Sequence, residues 1–107
     1  MLDPSVRRTK VSLLHIAWFR FKADVSPDRI AHHLASCREL VGRVPAVRDL
    51  KCGPNLSDRA AGMTHGIVVT LADQAALSAY LDHPAHIPVA EALKGDIAEL
   101  RVMDLQT

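Results

Sequence analysis

The chain has 107 residues, of which 49% are hydrophobic and 23% charged, so it can bury the core of one domain and lies below the size at which chains usually divide. Its 13 basic and 12 acidic residues are interspersed, and this balance argues against a nucleic-acid or anionic-membrane partner. The sequence lacks a signal-peptide pattern and any run of about 20 apolar residues, which predicts a cytoplasmic protein.

The amino-terminal half contains signals for a strand, a helix and a second strand. We expect residues 1–10 to be a flexible tail and residues 11–107 to form a single domain. Residues 11–22 alternate as a strand does, and Ser26 followed by proline predicts the start of a helix that runs to about Arg43. The apolar positions of that helix recur at helical spacing and are Ile30, Leu34, Cys37, Val41 and Val44.

The carboxy-terminal half repeats this alternation of strands and helix. After Pro45, residues 46–52 predict a weaker strand, and a polar loop separates it from a third strand over residues 64–71. Asp73 is placed to cap a helix that breaks at Pro84 and resumes near His86. Residues 100–105 predict a fourth strand.

The resulting βαββαβ order predicts a ferredoxin-like α+β fold with a four-stranded antiparallel sheet and its helices on one face. The other face would then need a cover, because it is apolar. Packing against the sheet of a second copy is the simplest cover, which predicts a homodimer. The residues expected on that face are Leu14, Ile16, Trp18, Val68 and Thr70.

Polar residues interrupt the layer that should face the helices. The alternation places His15 and His65 on the face of their neighbouring strands that also carries phenylalanine and aliphatic residues, and Asp104 falls on the same face of the last strand. A buried imidazole or carboxylate needs a partner. These groups therefore predict either a structural polar network or a pocket between sheet and helices.

The segment from Tyr80 to His86 adds a phenol and a proton-transfer group to the same layer. The helix break at Pro84 would bend the chain so that Tyr80 and His86 approach one pocket. Histidine titrates near neutrality and is suited to general acid–base catalysis. The alternative is a capping turn with solvated histidines, and we expect the adjacent pair His32 and His33 to be solvated as well.

Several segments together resemble the stress-responsive α/β-barrel (Dabb) family, over about residues 13–106. They are the His15 strand ending Phe-Arg-Phe-Lys, Val-Pro-Ala-Val at 44–47, Cys-Gly-Pro-Asn-Leu-Ser at 52–57, Met-Thr-His-Gly at 63–66, Tyr80 with His83-Pro84-Ala85-His86, and the terminal Val-Met-Asp. The resemblance implies a dimeric α+β barrel. It does not fix an activity, because the family includes stress-associated proteins as well as plant polyketide cyclases.

In the cyclase branch the positions that match His86 and Tyr80 carry catalysis without a required cofactor. The resemblance implies that His86 is the base on a carbon between carbonyls and that the Tyr80 hydroxyl polarises a carbonyl, so that the ring closes by an aldol reaction. Positions matching His15, His65 and Asp104 line or support the pocket. The expected ligand is a small carbonyl or phenolic compound.

The chain departs from the cyclases at Cys37, which stands where their pocket has a tyrosine, and this leaves the substrate open. Cys37 and Cys52 are expected to be packing residues without a disulfide. The resemblance also implies a magnesium ion at the dimer interface, held by the backbone carbonyls of Val41, Val44 and Val47. No cluster of acidic and histidine side chains has metal-site spacing.

Two other functions remain open at the level of sequence. The same residues could form a polar network in a non-catalytic, stress-responsive binding dimer. Alternatively, the protein could be a cofactor-free monooxygenase, as in some related dimers. The four aromatic residues leave little surface to stack on a large planar substrate, which argues against the monooxygenase.

Overall fold

The computed structural model describes residues 12–107, and the expected tail over residues 1–10 lies outside them. Four strands and three helices form the predicted order, with two helices in place of one broken helix. The elements are β1 Leu13–Phe21, α1 Pro27–Arg43, β2 Asp49–Pro54, β3 His65–Leu71, α2 Gln74–Leu81, α3 His86–Gly95 and β4 Ile97–Gln106. The strand order is β2-β3-β1-β4 and every pairing is antiparallel, which confirms the ferredoxin-like fold.

The helix starts follow the predicted capping signals. The Ser26 hydroxyl accepts the backbone N–H of Arg29 at 3.2 Å, and Pro27 occupies the first turn of α1, where its missing N–H costs nothing. Asp73 accepts the backbone N–H of Ala76 at 2.9 Å and caps α2.

Two strand boundaries differ from the sequence prediction. The second strand begins at Asp49 rather than at residue 46, because the chain first makes a tight turn in which the Val47 N–H donates to the Val44 carbonyl at 3.0 Å. The last strand begins at Ile97 rather than at residue 100, because its start pairs with the end of β1 beyond a register shift at Arg20.

The core lies between the sheet and the helices. Phe19, Val69 and Leu71 on the sheet are fully buried beneath Leu40 and Val44 at the carboxyl end of α1. Val41 was expected on the buried stripe of α1, but its side chain is 42% exposed. His33 and Leu40 are buried on α1, so the buried stripe is rotated away from Val41.

His33 corrects a second expectation, because it is buried rather than solvated. Its Nε2 lies 2.6 Å from the Asp96 carboxylate, and the Arg29 guanidinium also donates to that carboxylate. The hydrogen bond from His33 and, after it, the hydrogen bond and charge of Arg29 hold the pKa of Asp96 below its ordinary value despite burial. The network joins α1 to the start of β4.

The opposite face of the sheet bears the apolar residues that were predicted there. Ile16 on β1 lies between Val68 on β3 and Met103 on β4, and Leu14 pairs with Leu105. Val68, Met103 and Leu105 are 36%, 48% and 44% exposed, so this apolar surface is open in the protomer. We call it the outer face.

No helix within residues 12–107 is long and apolar enough to cross a membrane. The cytoplasmic location and the lack of a nucleic-acid partner stay predictions.

We predict that Phe19→Ala lowers the free energy of unfolding by about 3–5 kcal/mol, because Phe19 has no exposed surface and its loss leaves a cavity under α1. Leu56→Ala is the control: Leu56 is 94% exposed, and the change should stay within about 0.5 kcal/mol. Urea denaturation followed by circular dichroism measures both, and equal losses would contradict the assigned core.

Candidate functional site

A turn centred on Pro84 separates α2 from α3 and positions the site. In a continuous helix the Ala85 N–H would donate to the Leu81 carbonyl, four residues earlier. Here it donates to Nδ1 of His83 at 3.0 Å, and the Leu81 carbonyl is left to the His86 ring. The helix resumes at His86, as predicted, and His83 serves the turn rather than the site.

The turn directs Tyr80 and His86 into a cavity of about 200 Å³ between the sheet and the helices. Aliphatic side chains form most of its wall. Polar groups enter from β1, α2 and α3. The lining residues are His15, Ala17, Phe19, Cys37, Leu40, Ile67, Tyr80, Leu81, His86, Val89, Ala90, Leu93, Lys94, Ile97, Leu100 and Val102.

The rings of Tyr80 and His86 lie against each other, with centroids 4.3 Å apart. Nδ1 of His86 is 3.1 Å from the Leu81 carbonyl, which can only accept, so Nδ1 carries the proton. In the neutral imidazole the lone pair is therefore on Nε2. The backbone selects the tautomer that a general base at Nε2 needs.

The cavity also favours the required protonation states. Burial lowers the pKa of His86, with smaller lowering effects from the charges of His15, Lys94 and His83, and these outweigh the hydrogen bond to Leu81, which raises it. Burial, and then the nearby Cys37, raises the pKa of the Tyr80 phenol. At neutral pH the cavity therefore offers a neutral imidazole and a hydroxyl that can donate.

His15 and Asp104 meet as the alternation predicted. They are directly opposite in the β1–β4 register, and the His15 Nδ1 lies 2.6 Å from the Asp104 carboxylate. The carboxylate can only accept, so Nδ1 of His15 donates and its Nε2 faces away from Asp104. The His15 ring also contacts Tyr80 edge-on, with centroids 6.0 Å apart, and so links Asp104 to the cavity.

His65 does not reach this cavity. It faces the helix side, as expected, but pairs with Phe19 at the other end of β1 and stacks on that ring with a centroid distance of 6.3 Å. Its Nδ1 lies 2.9 Å from the Thr64 hydroxyl, and burial lowers its pKa. Strand parity predicts the face of a side chain but not its position along the strand, which depends on register.

Cys37 lines the cavity from α1 and is buried. Burial, and then the nearby Cys52, raises its pKa to about 11, with a smaller opposing effect of Arg38. A thiol held protonated at neutral pH is a poor nucleophile. Both cysteines are free, and the Cys52 thiol donates to the Leu34 carbonyl at 3.6 Å.

Of the carbonyls expected to hold magnesium, those of Val41 and Val44 lie at the end of α1, and that of Val47 follows in the turn before β2. The Val41 carbonyl has no intrahelical donor, because residue 45 is proline, whereas the Val44 carbonyl accepts the Val47 N–H. The carboxyl end of a helix favours a cation, so these oxygens fit a hard ion in their chemistry. Among residues 12–107 no group of three or more His, Cys, Asp or Glu side chains is placed to hold a metal.

Sequence reasoning missed Lys94, which lines the cavity two turns after His86 on α3. Residues spaced by four and eight positions share one face of a helix. This periodicity would have placed His86, Ala90 and Lys94 together. A lysine in the last turn of a helix is otherwise a common feature, because it complements the helix dipole.

The sheet and its helices define a ferredoxin-like α+β protein with a cavity between the two layers. The model of the stress responsive A/B barrel domain (Dabb) matches residues 13–107. The chain therefore belongs to the Dabb family, as its motifs indicated.

Two curated relatives align over most of both chains. The stress-response A/B barrel domain-containing protein HS1 of Arabidopsis thaliana is 26% identical over 101 residues, which cover 92% of this chain and 93% of HS1. Olivetolic acid cyclase of Cannabis sativa is 22% identical over 96 residues, which cover 88% of this chain and 95% of the cyclase. The family thus contains an enzyme among these distant relatives.

Solved structures confirm the fold. A hydroxynitrile lyase from Passiflora edulis superposes with a TM-score of 0.84 at 22% identity, covering 92% of this chain and 94% of the lyase, and this likeness shows the fold alone. A dimeric ferredoxin-like protein of unknown function from Jannaschia sp. CCS1 superposes with a TM-score of 0.79 at 25% identity, covering 90% and 99% of the two chains.

We predict that stability falls as the pH is lowered below 6.5, the ordinary pKa of histidine. His65 and His86 hold protons less tightly in the folded protein, so the unfolded chain binds more protons between 6.5 and the lowered folded values. The free energy of unfolding therefore decreases with falling pH across this window. His86→Gln should reduce that decrease.

Urea denaturation at a series of pH values measures the effect. His32→Gln is the control for loss of an imidazole, because His32 is exposed on α1. A pH dependence in His86→Gln equal to that of the wild type would contradict the burial effect on His86.

Proposed function

We propose that the protein is a cofactor-independent cyclase or lyase that acts on a small carbonyl substrate, with His86 as general base and Tyr80 as hydrogen-bond donor. The observation that carries the proposal is the hydrogen bond from Nδ1 of His86 to the Leu81 carbonyl, which leaves Nε2 as the basic atom beside the Tyr80 ring. Such a pair serves reactions that begin with proton removal next to a carbonyl.

In the proposed reaction Nε2 of His86 removes a proton from a carbon that is acidified by adjacent carbonyl groups. The electron pair of that C–H bond forms the enolate, whose oxygen accepts a hydrogen bond from the Tyr80 hydroxyl. For ring closure the enolate carbon attacks a second carbonyl of the same molecule. The resulting alkoxide takes the proton back from the His86 imidazolium, so the step is balanced without a redox partner.

The pair of His15 and Asp104 supports the site without taking the proton in this scheme. The carboxylate orients the His15 ring, which packs edge-on against Tyr80 and limits the positions that the phenol can adopt. Because Nδ1 of His15 donates to Asp104, its Nε2 is the remaining acceptor in the neutral ring. We assign His15 and Asp104 positioning roles. His65, which lies outside the cavity, supports the fold.

The names of the relatives support the proposed class of reaction. One is named as a cyclase, and a protein of the same fold is named as a hydroxynitrile lyase. Cyclase and lyase reactions of carbonyl compounds both require proton transfer at carbon or at a carbonyl-derived oxygen. The small, mostly apolar cavity and the half-buried imidazole suit that requirement.

The second candidate is a non-catalytic binding dimer, which the name of the stress-response relative HS1 favours. The two proposals differ in what His86 does. If the protein only binds a ligand, removal of His86 would lower ligand affinity or stability, and neither the wild type nor the variant would turn over a substrate.

We also propose that two copies pair through their outer faces, and the solved structure described as a dimeric ferredoxin-like protein supports a dimer. Pairing would remove Val68, Met103 and Leu105 from water, and exposed apolar patches of this kind mark protein interfaces. The carbonyls of Val41, Val44 and Val47 would coordinate a magnesium ion, and the bound ion would stabilise the end of α1.

We predict that His86→Ala lowers turnover of a β-diketone or β-keto ester substrate by about a hundred- to ten-thousandfold, the usual contribution of one positioned general base. Tyr80→Phe should cost about a hundredfold, because one enolate hydrogen bond is lost. Substrates are first selected by the rise in melting temperature that a bound compound produces in the wild type.

His32→Ala is the matched control, because it removes an exposed imidazole far from the cavity, and its rate should equal that of the wild type. Circular dichroism verifies that each variant is folded. A folded His86→Ala protein with the wild-type rate would remove His86 from the mechanism, and bound compounds without turnover in the wild type would favour the binding dimer.

We predict that the wild type sediments as a dimer and that Met103→Glu sediments as the 11.7 kDa monomer. Met103 is 48% exposed in the protomer, so a carboxylate there is tolerated by the fold but would be buried without a partner at the interface. Leu56→Glu, in an exposed loop, is the control and should remain dimeric. Sedimentation in the presence of magnesium and after addition of a chelator shows whether the ion stabilises the dimer. A wild-type monomer would contradict the outer-face interface.

A further inference from the structure

The cavity is lined by one lysine, Lys94, and the proposed chemistry does not use it. Among residues 12–107 the other lining residues are aliphatic, aromatic, cysteine or histidine, so Lys94 is the only lysine or arginine there. None of the described residues that line the cavity carries a carboxylate. The cavity wall is therefore mostly apolar, and Lys94 adds a positive charge to it.

Lys94 lies on the same stripe of α3 as His86. The two residues are eight positions apart, which corresponds to about 12 Å along the helix axis. Ala90 lies between them in the chain and lines the cavity with a small side chain. The lysine side chain is flexible, so its ammonium can lie closer to the imidazole than the axial separation of the two residues.

The first two carboxylates that follow Lys94 in the chain are engaged elsewhere. Asp96 is bound by His33 and Arg29, and Glu99 pairs with Arg101 at 3.9 Å. Lys94 takes part in none of the four ion pairs formed by residues 12–107. A second cation, Lys22, donates to the Gly95 carbonyl at 2.8 Å and adds positive charge beside the end of α3.

We propose that Lys94 determines substrate specificity by binding a carboxylate, so that the substrate is a keto acid whose apolar body separates the acid from the reacting carbonyl at His86. This inference rests on the proposed function for the position of the reacting carbonyl. A carboxylate fits better than a phosphate, because Lys94 offers one point charge at the carboxyl end of a helix, where the helix dipole disfavours a dianion.

The test compares one acid with its neutral counterpart. The probes are 4-(3-oxobutyl)benzoate and its primary amide, which share a ketone and an apolar body between the ketone and the acid or amide group and differ in charge. Isothermal titration calorimetry at pH 7 and low salt measures their dissociation constants for the full-length wild type, Lys94→Gln, Lys94→Glu and Lys94→Arg.

We expect the wild type to bind the acid about fivefold more tightly than the amide, since exposed ion pairs contribute modestly. Lys94→Gln should abolish this preference, Lys94→Glu should reverse it, and Lys94→Arg should keep it. Arg59→Gln removes one exposed cation from the loop between β2 and β3 and should leave the preference unchanged. High salt should weaken the preference.

Equal binding of acid and amide by the wild type would overturn the proposal, as would a preference that survives in Lys94→Gln or a failure of both probes to bind at millimolar concentration. The proposed function can fail separately. If the acid preference depends on Lys94 but no keto compound shows turnover that depends on His86, the carboxylate site stands and the catalytic proposal is wrong.

Discussion

The hydrogen bond between the His86 ring and the Leu81 carbonyl is the interaction on which the site depends. It exists because Pro84 interrupts the helix and because His83 takes the Ala85 N–H that would otherwise occupy that carbonyl. The same turn brings the Tyr80 and His86 rings to a centroid distance of 4.3 Å. Position, tautomer and orientation of the imidazole thus follow from one local break in the helix.

The surroundings of this turn complete the electrostatics of the cavity. Burial favours the neutral imidazole of His86 and the protonated phenol of Tyr80, so each group is in the form that proton removal and hydrogen-bond donation require. Most of the cavity wall is apolar, which strengthens electrostatic interactions at these groups. Lys94 places positive charge at the other end of the same helix, where it affects both the His86 pKa and the ligands that the cavity can hold.

Much of this arrangement follows from sequence, because it depends on periodicity and capping. Alternation on β1 and β4 placed His15 and Asp104 on one face, and the register indeed sets them opposite each other. Ser26, Asp73 and Pro84 fixed the helix boundaries through hydrogen bonds that are local in sequence.

Other features depend on packing between distant segments and could not be predicted. The ion pair of His33 and Asp96 joins residues 63 positions apart, and nothing local distinguishes a buried histidine from a solvated one. His65 lies on the predicted face but opposite Phe19 rather than in the cavity, because strand parity gives the face of a side chain whereas register gives its position along the sheet. Val41 shows how a small rotation of an amphipathic helix changes which residues it buries.

Nitrogen-15 NMR of the histidine rings across a pH titration reports both the tautomer and the pKa of His86 in the intact protein. We expect that neutral His86 carries its proton on Nδ1, that Nε2 is unprotonated, and that the pKa lies below the ordinary value of 6.5. A proton on Nε2 in the neutral ring, or a pKa above 6.5, would contradict this expectation.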